Sequence, residues 1–282
     1  MINAELLQAI DDELENAIKN NKKIAALYKR IRDGTATFQN AADFAQLIGK
    51  DLSAAFGKHI VAEQLPNGKM TFSIASEVVK PELVKGCDYT SSYFNEVQQA
   101  MLKSKKLNIK GAPPDLLENR INGFIDKLTS DEYEKVKWIL EDAAYIENYL
   151  EAVVDTGIKN NVGMLAQGGI RPKIVREVDA GACPWCMNLA GEYEYGEEPA
   201  DVYRRHRDCH CRVTYEVPNG FRQDVWSKNW FTDNPNYEWE VKERKVFDKN
   251  LKKRTEKSGR YAPKGTLTPE QAKRLEKYLL NN

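Results

Sequence analysis

Histidine is scarce in this chain, with three among 282 residues, and cysteine is little commoner at five. So few imidazoles leave little material for a histidine-based hydrolytic centre, which needs a general base and further ligands on separate elements. No run of about 18 apolar residues occurs, which excludes a helical membrane span. There is no internal repeat and no low-complexity stretch, so solenoid and array architectures are excluded too. Met1-Ile2-Asn3-Ala4-Glu5 lacks the basic start and apolar stretch of a secretory signal. The expectation is synthesis in the cytoplasm, where thiols stay reduced.

What is present describes a soluble globular chain. Hydrophobic residues make up 41% and charged residues 30%, enough apolar material for a core and room for one or two domains. The formal net charge is zero, but it is unevenly spread. From Val241 to Asn282 there are thirteen Lys and Arg against five Asp and Glu, an excess of eight positive charges that the first 240 residues must offset. A basic tail on an acidic body fits contact with phosphate or with an acidic surface, and equally a solvated helical tail.

The first 60 residues read as helix. Leu6, Leu7, Ile10, Leu14, Ala17 and Ile18, then Ile24, Leu27, Tyr28 and Ile31, recur at steps of three and four. Asp33-Gly34 ends that run, and Thr37 is placed to cap a second helix carrying Phe38 to Phe56. Pro66-Asn67-Gly68 marks a turn that fits a short hairpin. Helices are then expected over 73–85, 91–103, 115–128 and 130–161, with Gly111-Ala112-Pro113-Pro114 as a break and Gly157 and Gly163 thinning the end. Gln167-Gly168-Gly169-Ile170-Arg171-Pro172 is the clearest linker. Strands are expected over 173–178 and 212–217. An aromatic stretch with Phe221, Trp226, Trp230, Phe231, Tyr237 and Trp239 follows, then the basic tail with a last helix from about Thr268. In sum the expectation is a mainly α chain: a helical N-terminal domain (1–167), a small α+β zinc-knuckle domain (168–218), and an extended aromatic and basic tail (219–282).

Four of the five cysteines fall within 29 residues, as Cys183-Pro184-Trp185-Cys186 and Cys209-His210-Cys211. Two short-spaced pairs meeting across a loop are the usual sequence solution to a tetrahedral zinc site, because each pair fixes two ligands on one turn. Two disulfides would need an oxidising compartment, and a Cys-x-Cys pair bridges poorly. A thioredoxin-like redox pair lacks its βαβ context, and an iron–sulfur cluster fits on ligand count alone. Zn2+ on Cys183, Cys186, Cys209 and Cys211 is the expected set. His206, three residues before Cys209, is the alternative to Cys211 or a partner that orients a ligand. Such a closed site keeps no position for water and would be structural. His59 and Cys87 read as packing or surface residues.

Ile174-Val175-Arg176-Glu177-Val178, then Ala182 to Gly191 with the pattern Cys-x-x-Cys-x-x-Leu-x-Gly, then His206-x-x-Cys209-x-Cys211 ahead of a strand, resemble the phage minor head proteins, the Mu F-like head-morphogenesis family. The N-terminal part resembles minor capsid proteins of phages and prophages of Gram-positive hosts, in Gly34-Thr35-Ala36-Thr37, Ala55-Phe56-Gly57-Lys58-His59 and Leu65-Pro66-Asn67-Gly68. The likeness runs to about Val217. Arg207 and His210 stand where the common pattern has Pro and Arg, which leaves the role of His206 open.

The resemblance implies a non-enzymatic, structural role: a minor capsid protein inside the virion head, bound to portal protein or major capsid protein, with packaged double-stranded DNA within reach of the basic tail. The zinc-framed alternatives are a nucleic-acid-binding protein, with Trp226, Trp230 and Trp239 beside Lys228, Lys242 and Arg244, and a nuclease. An ADP-ribosyltransferase would use Glu192-x-Glu194, but its other motifs are missing. Glu192, Glu194, Glu197 and Glu198 read instead as an acidic solvated loop.

Overall fold

The computed structural model describes residues 2–178, 181–206, 209–218, 221–224 and 229–232, with only the backbone of residue 2 and of the last two segments. The expected tail helix, the basic residues after Val241 and Trp226 and Trp239 lie outside these. The described residues are mainly α, with a three-stranded and a two-stranded antiparallel sheet.

Three helices open it. α1 (Ile2–Asn20) and α2 (Lys22–Arg32) are separated at Asn21, whose side chain accepts from the amides of Lys23 and Ile24 and so starts a new helix. Gly34, at φ 69°, supplies the left-handed turn that ends α2. α3 (Phe38–His59) starts at the expected cap, where Thr37 and Asn40 exchange side-chain and backbone bonds. Ile10, Leu14, Ile24 and Leu27 are buried, so the apolar stripes of α1 and α2 are used up in the protein's own core.

No hairpin forms around Asn67. Short 3-10 turns, Ala62–Gln64 and Pro66–Gly68, carry the chain instead. Ile60 and Met70 on either side are buried in the helical core rather than paired as strands. The expected helices over 73–85 and 91–103 are one continuous element: α4 (Phe72–Ile74), a π-helical turn (Ala75–Val79) and α5 (Lys80–Ser104). Gly86 does not interrupt it: the helix is buried at this point, and even a Cβ there would meet Leu52 and Leu150 at ordinary contact distance, 3.4 to 3.5 Å.

After α6 (Glu118–Leu128), the stretch expected as one helix over 130–161 is three: α7 (Tyr133–Val136), α8 (Trp138–Glu141) and α9 (Ala143–Gln167), with Asp142 capping α9 through the Ala144 amide. Gly157 does not thin α9. It is buried, and a Cβ there would lie 2.6 Å from the Phe94 ring. Gly49 plays the same part between α3 and α9, where a Cβ would come within 2.7 Å of the Glu147 backbone. The two central helices thus meet backbone to backbone, and α9 carries the densest set of buried side chains in the protein.

Beyond Gln167 come β1 (Lys173–Glu177), α10 (Pro184–Asn188), β2 (Gly191–Glu194) and β3 (Arg212–Glu216). The antiparallel order is β2-β1-β3, with Lys173 opposite Glu216 and Glu177 opposite Arg212. Alternation turns Ile174, Val213 and Tyr215 inward. Tyr215 packs on Phe38, ring centroids 4.9 Å apart, and its hydroxyl bonds to Gln98 of α5. Buried side chains therefore run continuously from the helices into the sheet. A further hairpin, β4 (Phe221–Asp224) with β5 (Asn229–Thr232), follows.

Glu82 of α5 is 3% exposed, with one carboxylate oxygen lacking a hydrogen bond, and it faces Asp11 and Glu15 of α1 as well as Lys85. Burial first, and then Asp11, push its pKa up to about 7, against the pull of Lys85. A raised folded pKa means that the native state keeps its proton where the unfolded chain has lost it, so stability falls as pH rises through that window. Glu82→Gln should leave stability at pH 4.5 nearly unchanged and raise it by roughly 1–3 kcal/mol at pH 8, read by urea unfolding at both pH values.

Candidate metal centre

The sheet fixes where the cysteines meet. Pairing of Glu177 with Arg212 closes one end of the β1–β3 ladder. Cys183, shortly after β1, and Cys211, immediately before β3, are thereby brought to the same place. Cys183 is also the N-cap of α10: Pro184 sits in its first turn, and the Cys186 amide points at the Cys183 sulfur at 3.5 Å. One short turn thus orients both sulfurs of the first pair.

The donors form two triads that share Cys186. Cys183, Cys186 and His206 make one, Cys186, Cys209 and Cys211 the other, each with its ligand atoms within 4.8 Å of one another. The Nε2 of His206 lies 3.2 Å from the sulfur of Cys183 and 3.0 Å from that of Cys186. The sulfurs of Cys186 and Cys209 are 3.6 Å apart, and all five cysteines are free thiols. Cys186, Cys209 and Cys211 are buried while Cys183 is partly open. The Cys186 amide draws the Cys183 thiol below the usual range, whereas burial pushes Cys186 and Cys209 up. Such a cluster could hold a metal ion. All four predicted cysteines are in it, and so is His206, bracketing the first pair. His210 lies in neither triad; its Nδ1 is 3.8 Å from Glu151. Cys87 is buried on α5, and His59 stands beside Glu13, away from the cluster.

Two arginines tie the cluster to the fold. Arg205, one residue before His206, is buried and reaches α9, where its Nε bonds to Asp155, its Nη2 to Asp155 at 3.2 Å and its Nη1 to Glu151 at 3.2 Å. The same Nη1 donates to the carbonyl of Cys209 at 3.0 Å. Burial opposes the guanidinium charge, but Asp155 and Glu151 outweigh it and hold the group above its usual range. One cation faces two carboxylates. Burial pushes Glu151 up to about 7, against the pull of Arg205 and a hydrogen bond from Gln46, so of the two carboxylates it takes up a proton as pH falls to that value. Asn148, one turn earlier on α9, donates to the carbonyls of His206 at 2.8 Å and Cys209 at 3.4 Å.

Arg176 is the second. It is 2% exposed on the inner face of β1, and its Nη1 donates to the carbonyls of Val202 and Arg204. Its Nη2 lies 3.9 Å from the sulfurs of both Cys186 and Cys209, and the guanidinium covers the Trp185 ring at 5.6 Å.

None of these supporting residues emerges from cysteine spacing. Their signals are charges at positions of apolar pattern: Arg176 shares the strand face of Ile174, and Glu151 and Asp155 lie four apart among the buried residues of α9. The acidic loop expected around Glu192 is in part an edge strand, β2, with Lys173 paired to Glu192. No protein-family model matches the chain, and no curated protein or solved structure matches it significantly. The chemistry therefore rests on the residues themselves.

Removing one partner of a buried ion pair strands the other charge. Arg205→Met should cost about 3–5 kcal/mol in urea unfolding, and adding Asp155→Asn and Glu151→Gln should recover most of that loss. An unaltered midpoint in Arg205→Met would contradict the anchoring role.

Proposed function

We propose that the chain is a structural minor head protein of a tailed bacteriophage, with a Zn2+ ion held in its knuckle. The observation that carries the zinc reading is the convergence of soft donors, Cys183, Cys186, Cys209 and either Cys211 or His206, with Cys186, Cys209 and Cys211 buried. In a tetrahedral thiolate site of about 2.3 Å bonds, neighbouring sulfurs stand about 3.7 Å apart and sulfur and imidazole nitrogen about 3.5 Å. The 3.6 Å between Cys186 and Cys209 fits that edge, and His206 would need to move outward by a few tenths of an ångström. Four thiolates would give the site two negative charges and three thiolates with His206 one. The Arg176 guanidinium, 3.9 Å from two of the sulfurs, offsets part of either.

A largely buried donor set of this kind suits structure rather than catalysis, because nothing is left to present a bound water to a substrate. The histidines are also dispersed: His206 on the sulfurs, His210 toward Glu151, His59 toward Glu13. That favours the structural reading over a zinc-framed nuclease. The motifs around the cysteines and in the N-terminal helices support a place inside the virion head, on portal protein or major capsid protein, with the basic tail toward packaged double-stranded DNA. No helix among the described residues is long and apolar enough to cross a membrane. Because the apolar faces of α1 and α2 are buried, docking through the helical part would use its polar outer surface.

Elemental analysis of the purified chain should return about one zinc per molecule, and a strong chelator should release it with loss of hydrogen-exchange protection over 173–217. Mass spectrometry of purified virions should find the chain in the particle. A protein free of zinc removes the metal assignment; a chain absent from particles removes the head assignment, and the two results are independent.

A further inference from the structure

Beside the knuckle, on its α9 side, lies a cleft of about 300 Å3 bounded by α6, α8, α9 and the arm carrying Arg205 and His206. Its walls are aromatic. Trp138 and Tyr145 stand with ring centroids 4.8 Å apart, and Phe124 meets Tyr149 edge-on at 6.0 Å. Trp138 is 37% exposed, unusual for a tryptophan in a helical body, and its indole N–H is satisfied by the Lys135 carbonyl at 3.0 Å, so its ring is the part presented. Gly123 opens the α6 side: a Cβ built there meets no atom within 4 Å.

The charge of the cleft is one-sided. Arg120 and Lys127 line it, and among the described residues no carboxylate does. Arg120 donates through Nη1 to the backbone and side-chain oxygens of Asn148, at 3.3 and 3.1 Å, and neither cation has a carboxylate partner within ion-pair distance among the described residues. By contrast the buried Arg205 has Glu151 and Asp155, and the partly buried Lys85 has Asp11 and Glu15. Burial, reinforced by the nearby Arg205 charge, holds the Arg120 guanidinium below its usual range, and Asp155 offsets this only in part. The volume is at the lower end of small-molecule sites and suits one bicyclic ring system.

We propose that this cleft binds a small planar aromatic anion, its ring between Trp138 and Phe124 and its carboxylate or phosphate on Arg120 and Lys127. Aromatic walls supply stacking that tolerates many ring types, and two cations on the α6 wall, one to either side of Phe124, supply charge for the anionic group. His206 borders both sites, but the residues that would hold the ligand, Trp138, Phe124, Arg120 and Lys127, are not metal ligands, so binding here and zinc content are tested separately.

Indole-3-acetate and its uncharged analogue indole-3-acetamide, titrated calorimetrically into the full chain, separate the two contributions. The acid should bind saturably at one site and about tenfold more tightly than the amide. Lys127→Glu, at an exposed position, should weaken the acid about tenfold and leave the amide nearly unchanged. Gly123→Leu places a side chain in the open space and should abolish binding of both; the helix-favouring substitution should keep the fold, checked by its thermal midpoint. No saturable binding of the acid, equal affinities for acid and amide, or unchanged binding in Gly123→Leu would each overturn the proposal. Were Gly123→Leu to fold poorly, the Lys127→Glu comparison alone still decides it.

Discussion

A guanidinium buried against two carboxylates holds the cysteine-bearing arm in place. Arg205 belongs to the arm, and Glu151 and Asp155 belong to the most deeply packed helix of the protein. Three ionisable groups removed from water are tolerable only if their charges are matched, and the raised pKa of Glu151 shows burial favouring its neutral form against the pull of Arg205. The geometry is demanding: the guanidinium addresses Asp155 through two nitrogens and uses a third for Glu151 and the Cys209 carbonyl. A salt bridge of this kind adds little net stability compared with apolar packing, but it admits few alternative arrangements. What it specifies is register. With the arm held at Glu151 and Asp155, Cys209 and His206 lie against the Cys186 sulfur.

Arg176 does the complementary task from the sheet side. It fastens the segment before the arm through the Val202 and Arg204 carbonyls and presents its other nitrogen to two sulfurs. An arginine in the interior is costly unless its hydrogen bonds are made, and two backbone acceptors plus a tryptophan face supply most of what water would. The cluster is therefore clamped from two elements, β1 and α9, that were already fixed by the common core.

The helices that depend on periodicity and caps were legible: Thr37 with Asn40, Asp33-Gly34 and the 3-4 spacing from Leu6 to Ile31 each encode their structure locally. Helix continuity was not. Residues 86–90 carry a glycine and β-branched and aromatic neighbours that weaken a helix in isolation, and it is the burial of Leu83, Cys87, Thr90 and Phe94 in the tertiary core that carries the helix through. The turn at Asn67 reads as a hairpin by its residues, yet the flanking Ile60 and Met70 are drawn into a helical core that lies far away in sequence. In the candidate site the cysteines announce themselves by spacing. Arg176, Glu151 and Asp155 do not, because a charge within an apolar pattern is locally indistinguishable from a pattern error until its partner is known.

The same imbalance explains why a metal is needed at all on the proposed reading. Between Glu177 and Arg212 the buried apolar side chains among the described residues, cysteines aside, are Leu189 and Val202. The cysteine sulfurs form their own small cluster, supported only by Val178, Ala182 and Trp185 at its edge. A segment with so little to bury cannot repay its backbone entropy, which costs about 1–2 kcal/mol for each ordered residue. The two arginine clamps fix its ends and the arm but leave α10 and the Cys183 sulfur partly open. Cross-linking the two cysteine pairs through one ion would close that remaining freedom at the single point where the clamps do not reach.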